Sequence, residues 1–249
     1  MESVLYEELR PSEFLSRLNQ APIAYLPLGT LEWHGLHLPL GSDGLQSRAL
    51  FCDMARRVGG IVMPMLFVAP DKTREYEGKT YIGMDFWSRP AREAPRQLPG
   101  SAYYVSDSLY DALLDAVMAQ LARAGFRIVV GHGHGPANQA FQRQIPFARE
   151  KYGLMLVRAV FEQAQYGYQS DHAAANETSI MMHYYPQLVN MSALPQETDA
   201  RLEGVNGDDP RKYASAEMGK AAAEETMAFL EAALTKCLGE LRREGHRDK

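Results

Sequence analysis

Ala21 to Leu28 is an almost unbroken apolar run, and beyond it short runs of this kind alternate with longer stretches of helical period. Strands covered on both faces read as continuous apolar runs, whereas a strand with one wet face alternates polar with apolar. Ile61 to Val68 (broken by Pro64), Arg127 to Val130 and Gly153 to Phe161 read as further strands of the covered type. Between them lie the helices. Gly44 to Arg57 places Leu45, Ala49, Leu50 and Met54 on one face, and Leu109, Leu113, Leu114, Val117, Leu121 and Ala124 form a stripe closed by Gly125. Further helices are expected over about 138–151, over Glu177 to Tyr185 before Pro186, and over about 215–242, where a charged tail should fray. Strand alternating with helix predicts an α/β fold built on a mostly parallel sheet.

In such folds ligands gather outside the carboxyl ends of the strands. The loops after Leu28 and after Val130 occupy that position. Residues 70–106 have no clean period and are rich in Pro, Gly, Arg and aromatics, so a lid or a subunit contact is expected there. With 249 residues, 46% of them apolar, and no linker or repeat, the chain suits one domain spanning 1–249.

Several function classes are disfavoured. A net charge of -5 without any Lys/Arg cluster gives no surface for nucleic acid or an anionic membrane. The acidic N-terminus is not a signal peptide, and no apolar run is long enough to span a bilayer. Cys52 and Cys237 stand far apart in helical stretches and read as ordinary thiols, which suits a cytoplasmic setting. There is no G-x-S-x-G elbow, P-loop or H-E-x-x-H motif.

Three clusters remain that could carry chemistry. Gly29-Thr30-Leu31-Glu32-Trp33-His34-Gly35-Leu36-His37-Leu38-Pro39-Leu40-Gly41-Ser42-Asp43 leaves a strand with Glu, two His and Asp within a dozen positions. Residues i and i+2 of an extended segment point the same way, so Glu32 and His34 can aim at one point. The Gly/Pro-rich turn can then return Asp43 to them. Carboxylate oxygen with imidazole nitrogen suits zinc or manganese. The bland alternative, a solvated surface loop, fits any one of these residues better than it fits all of them together. Val130-Gly131-His132-Gly133-His134-Gly135-Pro136-Ala137-Asn138 is a glycine-rich turn before a helix; its G-x-G-x-G spacing is not the dinucleotide fingerprint, and its histidines fit a metal site better. Asp171-His172-Ala173-Ala174-Ala175-Asn176-Glu177-Thr178-Ser179 reads by itself as a helix start capped by Asp171 or Asn176.

Together these clusters resemble the creatininase (creatinine amidohydrolase) family. Gly29 through Asp43 follows its G-[ST]-x-E-x-H-G-x-H-L-P-L-G-[ST]-D signature almost without a break. Leu98-Pro99-Gly100-Ser101 resembles its P-G-T segment, Gly131 to Asn138 its glycine-histidine loop, and Asp171 to Ser179 its H-A-x-x-x-E-T-S stretch. The resemblance implies a three-layer α/β/α sandwich, two divalent ions (zinc, manganese or both), a small-molecule amide substrate whose amide is often in a ring, and a homo-oligomer, commonly a hexamer. It makes Glu32, His34, Asp43 and His134 metal ligands, with Asp43 bridging and His132 the competitor of His134. His172 would be the acid/base, and Glu177 a ligand or base. Four positions depart from the family, Trp33 and Leu36 within the first motif among them. Pro136 stands where a metal-binding Glu follows the loop histidine, and Tyr168 stands where a Trp precedes His172. The same frame also accommodates opening of a cyclic ketone of sugar or inositol type, an isomerisation, or a non-catalytic binding role.

Overall fold

The structure, a computed structural model, describes residues 3–87, 93–159, 162–163, 167–168, 171–197 and 199–247. Its centre is a four-stranded, wholly parallel sheet of β1 (Ile23–Leu28), β2 (Ile61–Val62), β5 (Ile128–Gly133) and β6 (Met155–Arg158), in the order β2-β1-β5-β6. Two small antiparallel pairs stand apart from it: β3 (Thr73–Tyr76) with β4 (Lys79–Ile82), and β7 (Glu162–Gln163) with β8 (Gly167–Tyr168). Parallel neighbours need a crossover between them, and helices supply it. Helix α2 (Ser42–Arg57) joins β1 to β2, and α5 (Gly135–Tyr152) joins β5 to β6.

All six residues of β1 are buried, as a continuous apolar run requires. Successive side chains feed two different cores. Ile23, Tyr25, Ile128 and Val130 pack with Leu50, Phe51 and Met54 of α2, Ile180 of α6 (Ala175–Tyr184) and Leu230 and Leu234 of α8 (Ala216–Arg247). Ala24, Leu26, Leu28 and Val129 face the other way, onto α4 (Asp107–Arg123) and α5, with Phe14 and Leu18 of α1 (Pro11–Gln20) at the edge. Helices therefore cover both faces, which is the three-layer α/β/α arrangement. Each fully buried large apolar side chain contributes about 1.5–3 kcal/mol.

Four local expectations change. The buried face of α4 runs through Tyr110, Leu114, Met118 and Leu121, while Leu109 points to solvent at 57% exposure. Helix α5 begins at Gly135 rather than near 138, because Pro136 is tolerated in a first turn, where its missing N–H has no partner to lose. The segment 70–106 is not wholly irregular. It contains the β3–β4 hairpin and a single helical turn, α3 (Met84–Trp87), and both strands of the hairpin are largely exposed, so no apolar period announced them. The C-terminal helix also continues to Arg247. Residues 160–161 of the expected fourth strand lie outside the described residues.

Candidate metal centre

From the middle of the sheet the chain runs outward in opposite directions, from β1 to β2 on one side and from β5 to β6 on the other. Loops leaving β1 and β5 diverge there and open a crevice at the strands' carboxyl ends. The two loops are tied at their origin, where the His134 amide donates to the Leu28 carbonyl at 2.7 Å. Gly133 sits at φ +149°, and a Cβ there would lie 1.5 Å from the Leu28 oxygen, so only glycine allows this approach. In the first loop the Glu32 amide donates to Leu40 O at 3.0 Å. That closure folds the segment back and places Asp43 in the first turn of α2 beside Glu32 and His34.

Three groups of potential ligand atoms result, each lying within 4.8 Å: Glu32 with Asp43 and His134, His34 with Asp43 and Glu177, and Glu32 with His34 and His172. Asp43 belongs to the first two. His134 Nδ1 is 3.0 Å from Glu32 Oε1 and 3.3 Å from Asp43 Oδ2. His34 Nε2 is 3.6 Å from Asp43 Oδ1 and 3.8 Å from Glu177 Oε2. Glu177 comes from the first turn of α6, where its Oε2 accepts from the Ala173 amide at 2.6 Å. The N-cap position of α6 is Ala174 rather than Asp171 or Asn176, although the side chain of Asp171 accepts from the Asn176 amide at 2.8 Å.

The fixed hydrogen bonds set the histidine tautomers. His34 Nδ1 donates to the Glu32 carbonyl at 3.1 Å, leaving Nε2 to face the carboxylates. His172 Nε2 donates to the Trp33 carbonyl at 2.5 Å, so Nδ1 looks toward Glu32 Oε1, 3.9 Å away. The rings of His34 and His172 stack at 4.4 Å. Burial would lower His34, but Asp43, Glu177 and Glu32 outweigh it and carry it up to about 10. His134 is likewise opposed by burial and raised by Glu32, Asp43 and Asp71. Burial and the neighbouring His34 push His172 down, leaving it neutral and able to accept a proton. Burial would raise Glu32 and Asp43; for Glu32 the imidazole of His134 outweighs it first, for Asp43 that of His34, and both are held low. Glu177 is raised chiefly by burial.

The donor set fits a divalent metal. His34 Nε2 is fully buried and makes no hydrogen bond, an arrangement costing about 1–3 kcal/mol if nothing fills it. Two carboxylate oxygens stand off from it beyond hydrogen-bond reach, and mixed imidazole and carboxylate ligands are those of zinc or manganese.

His132 stands apart from these groups. Ser47 donates to the Asp43 carbonyl at 2.6 Å and is therefore the acceptor of His132 Nδ1 at 2.7 Å. Burial lowers His132 to about 4. His37 lies 2.8 Å from Thr178 Oγ1, linking the first loop to α6. Pro136 lines the cavity without offering a ligand, and the side chain of Tyr168 lies outside the described residues.

Sequence reasoning overlooked Asp71. Its Oδ2 lies 3.4 Å from His134 Nε2, on the opposite edge of the ring from Glu32 and Asp43, and its side chain is 6% exposed. Tyr104 was also overlooked; its hydroxyl donates to Glu32 Oε2 at 3.4 Å. A signal for Asp71 did exist, since it follows the apolar run 61–68 at the same carboxyl edge of the sheet as the other two loops. Glu32, Asp43, Asp71, His132, His134, His172 and Glu177 border one cavity of about 480 Å³, which Gln46, Gln139, Gln142, Arg158, Trp87 and Asn206 also line.

The family model for Creatininase, described as creatinine amidohydrolase, matches residues 7–239. The creatinine amidohydrolase of Pseudomonas putida is 26% identical over 208 residues, 76% of this chain and 75% of its own length. A solved creatinine amidohydrolase (creatininase) superposes with a TM-score of 0.72 at 21% identity, covering 95% of this chain and 98% of that one. A mutant creatininase of Zn-Zn type gives 0.70 at 22%, covering 95% and 98%, and a manganese creatininase 0.67 at 20%, covering 94% and 98%.

Proposed function

Because the chain belongs to the creatininase family, we propose that it is a metal-dependent hydrolase of the C–N bond of a cyclic amide. The observation that carries this reading is the sharing of Asp43 between two buried three-residue ligand groups. Glu32, Asp43 and His134 would hold one divalent ion, and His34, Asp43 and Glu177 the other. Zinc and manganese are the candidates. Bound ions supply Lewis acidity, which acidifies a water and polarises a carbonyl oxygen.

The protein's own residues do the rest. His172 offers Nδ1 as the general base, because its other nitrogen is committed to the Trp33 carbonyl. Once protonated there, it can return the proton to the departing nitrogen. Glu177, fixed by the Ala173 amide, acts mainly as a ligand and holds His34 in line. The polar walls of the cavity orient the amide.

The reading carries with it a single domain over residues 1–249, a cytoplasmic setting in keeping with the free thiols of Cys52 and Cys237, and a homo-oligomer. Among the described residues no helix is long and apolar enough to cross a membrane.

Chelator-stripped protein should take up two equivalents of zinc or manganese and recover hydrolysis of cyclic amides, releasing a free amine. His34 is charged without metal, since its pKa lies near 10, so uptake at pH 7–8 should release protons. Affinity should then rise with pH until about 10. Calorimetry in buffers of different ionisation enthalpy measures the release. Absence of metal uptake, or hydrolysis indifferent to chelation, would sink the proposal.

A further inference from the structure

Arg158 is the last residue of β6 and pairs in register with Gly131. His134 lies three residues beyond Gly131, roughly 10 Å further along the sheet at a strand's rise. Arg158 nevertheless lines the same cavity as Glu32, Asp43 and Glu177 of the metal centre. A guanidinium has five N–H donors. With the Gln142 amide oriented to satisfy its neighbours, its oxygen accepts from Arg158 Nη1 at 2.6 Å and also from Nε. This fixes the guanidinium against α5. Among the described residues no carboxylate lies within 4 Å of it. The ligand groups do not use it, and a half-buried cation with no carboxylate beside it among the described residues is a place for a ligand's anion.

Among the described residues Lys72 is the other lysine or arginine on the cavity wall, and its setting differs. Its ammonium lies 5.0 Å above the ring of Trp87, which is itself 51% exposed at the rim. A charge there is screened by water and contributes little. Arg158 is deeper, held in place, and planar, which suits paired oxygen acceptors.

We propose that Arg158 is an anion subsite, so that the substrate carries a carboxylate or phosphate at one end and its scissile amide at the other. The proposal rests on the hydrolase reading, and it narrows the substrate class to acidic amides. Gln142 is then a positioning residue that holds the guanidinium toward the cavity. Neutral cyclic amides would lack half of the recognition.

The test is a binding series on metal-loaded protein. Five- and six-membered cyclic amides carrying a ring carboxylate, their phosphonate counterparts and the neutral carboxamides of the same rings are titrated calorimetrically into wild type, Arg158→Gln, Arg158→Lys and Lys72→Gln. Metal content and thermal unfolding are measured on each. At least one acidic amide should bind wild type on the order of 10- to 100-fold tighter than its neutral partner. The preference should vanish in Arg158→Gln, persist partly in Arg158→Lys and remain intact in Lys72→Gln, with metal content unchanged throughout. Comparing the carboxylate and phosphonate series identifies the anion. Equal or absent binding of the acidic and neutral series by wild type overturns the proposal. So does a preference that survives in Arg158→Gln, because the anion would then be sitting on the metal ions. Failure of the hydrolase reading shows differently, as protein that takes up no metal, while the anion preference is still read from binding.

Discussion

The loops after β1 and β5 and the segment from Ala69 to Val105 both border the cavity, but they are built on different principles. In the first loop Thr30, Glu32, His34 and His37 are all buried, and the polar groups of the two loops are held by backbone partners such as the Glu32–Leu40 and His134–Leu28 hydrogen bonds. The overlying segment has two exposed strands and an exposed Trp87 and Tyr103. It is tied to the scaffold at separate points: Met84 and Leu98 are buried, and Pro99 O accepts from Trp33 Nε1. The Ala102 amide donates to Leu31 O at 3.0 Å and the Val105 amide to Ala69 O at 3.1 Å. Chemistry that needs ligand atoms placed within fractions of an ångström resides on the rigid scaffold, while the exposed cover is left to contact the substrate and open locally.

The largest effect that could break this contrast is at Asp43. Its carboxylate serves both ligand groups, so Asp43→Ala should lose both ions, whereas Glu32→Gln and His34→Gln should each weaken one. Hydrolysis should fall by on the order of a thousandfold, the scale of losing a preorganised electrostatic partner. Elemental analysis of the purified variants decides it. An Asp43→Ala protein retaining one full equivalent would mean that the two groups do not share this residue.

A middle-sized effect is expected where the cover reaches the scaffold. Asp71 faces His134 Nε2 while Glu32 and Asp43 face Nδ1, the geometry in which an outer carboxylate orients a ligating histidine and raises its basicity. Asp71→Ala should weaken one metal site by about 10- to 100-fold, with Asp71→Asn, which keeps an acceptor, falling between it and wild type. Metal titration of the stripped proteins reads the difference. Unchanged affinity in both variants would confine Asp71 to the cover.

This residue also marks where the sequence stops being readable. Glu32, His34 and Asp43 could be paired on paper because one short turn connects them, and the expected helices and parallel strands rest on periods that burial enforces. His172 and Glu177 were legible through a motif five residues apart. Asp71 and Arg158 have no such neighbours. Asp71 is followed by Lys72, Arg74 and Glu75, and Arg158 falls inside the apolar run Gly153 to Phe161, so neither stands in a motif, and only the order of strands in the sheet brings them to one cavity. The β3–β4 hairpin was missed for a different reason: none of its strand residues is fully buried, and the half-buried face of β3 carries a charged Arg74 beside Tyr76, so no apolar alternation marks it.

The smallest effect lies at the tip of that hairpin, and it bears most directly on whether cover and scaffold are independent. Tyr76 pairs with Lys79, so Glu77 and Gly78 form a two-residue turn, with φ of 49° and 74°. Both central residues being left-handed is the pattern that favours Asn-Gly, because asparagine tolerates this region better than other non-glycine residues. Nothing packs where a Cβ of Gly78 would point, so the tip contributes to stability only through its own backbone. Glu77→Asn should therefore stabilise the hairpin by no more than about 1 kcal/mol, visible as slower amide exchange over residues 73–82. Metal affinity should not move. If it did, strain at the tip would be reaching Asp71 through the stem, and the cover would have to be counted as part of the metal centre.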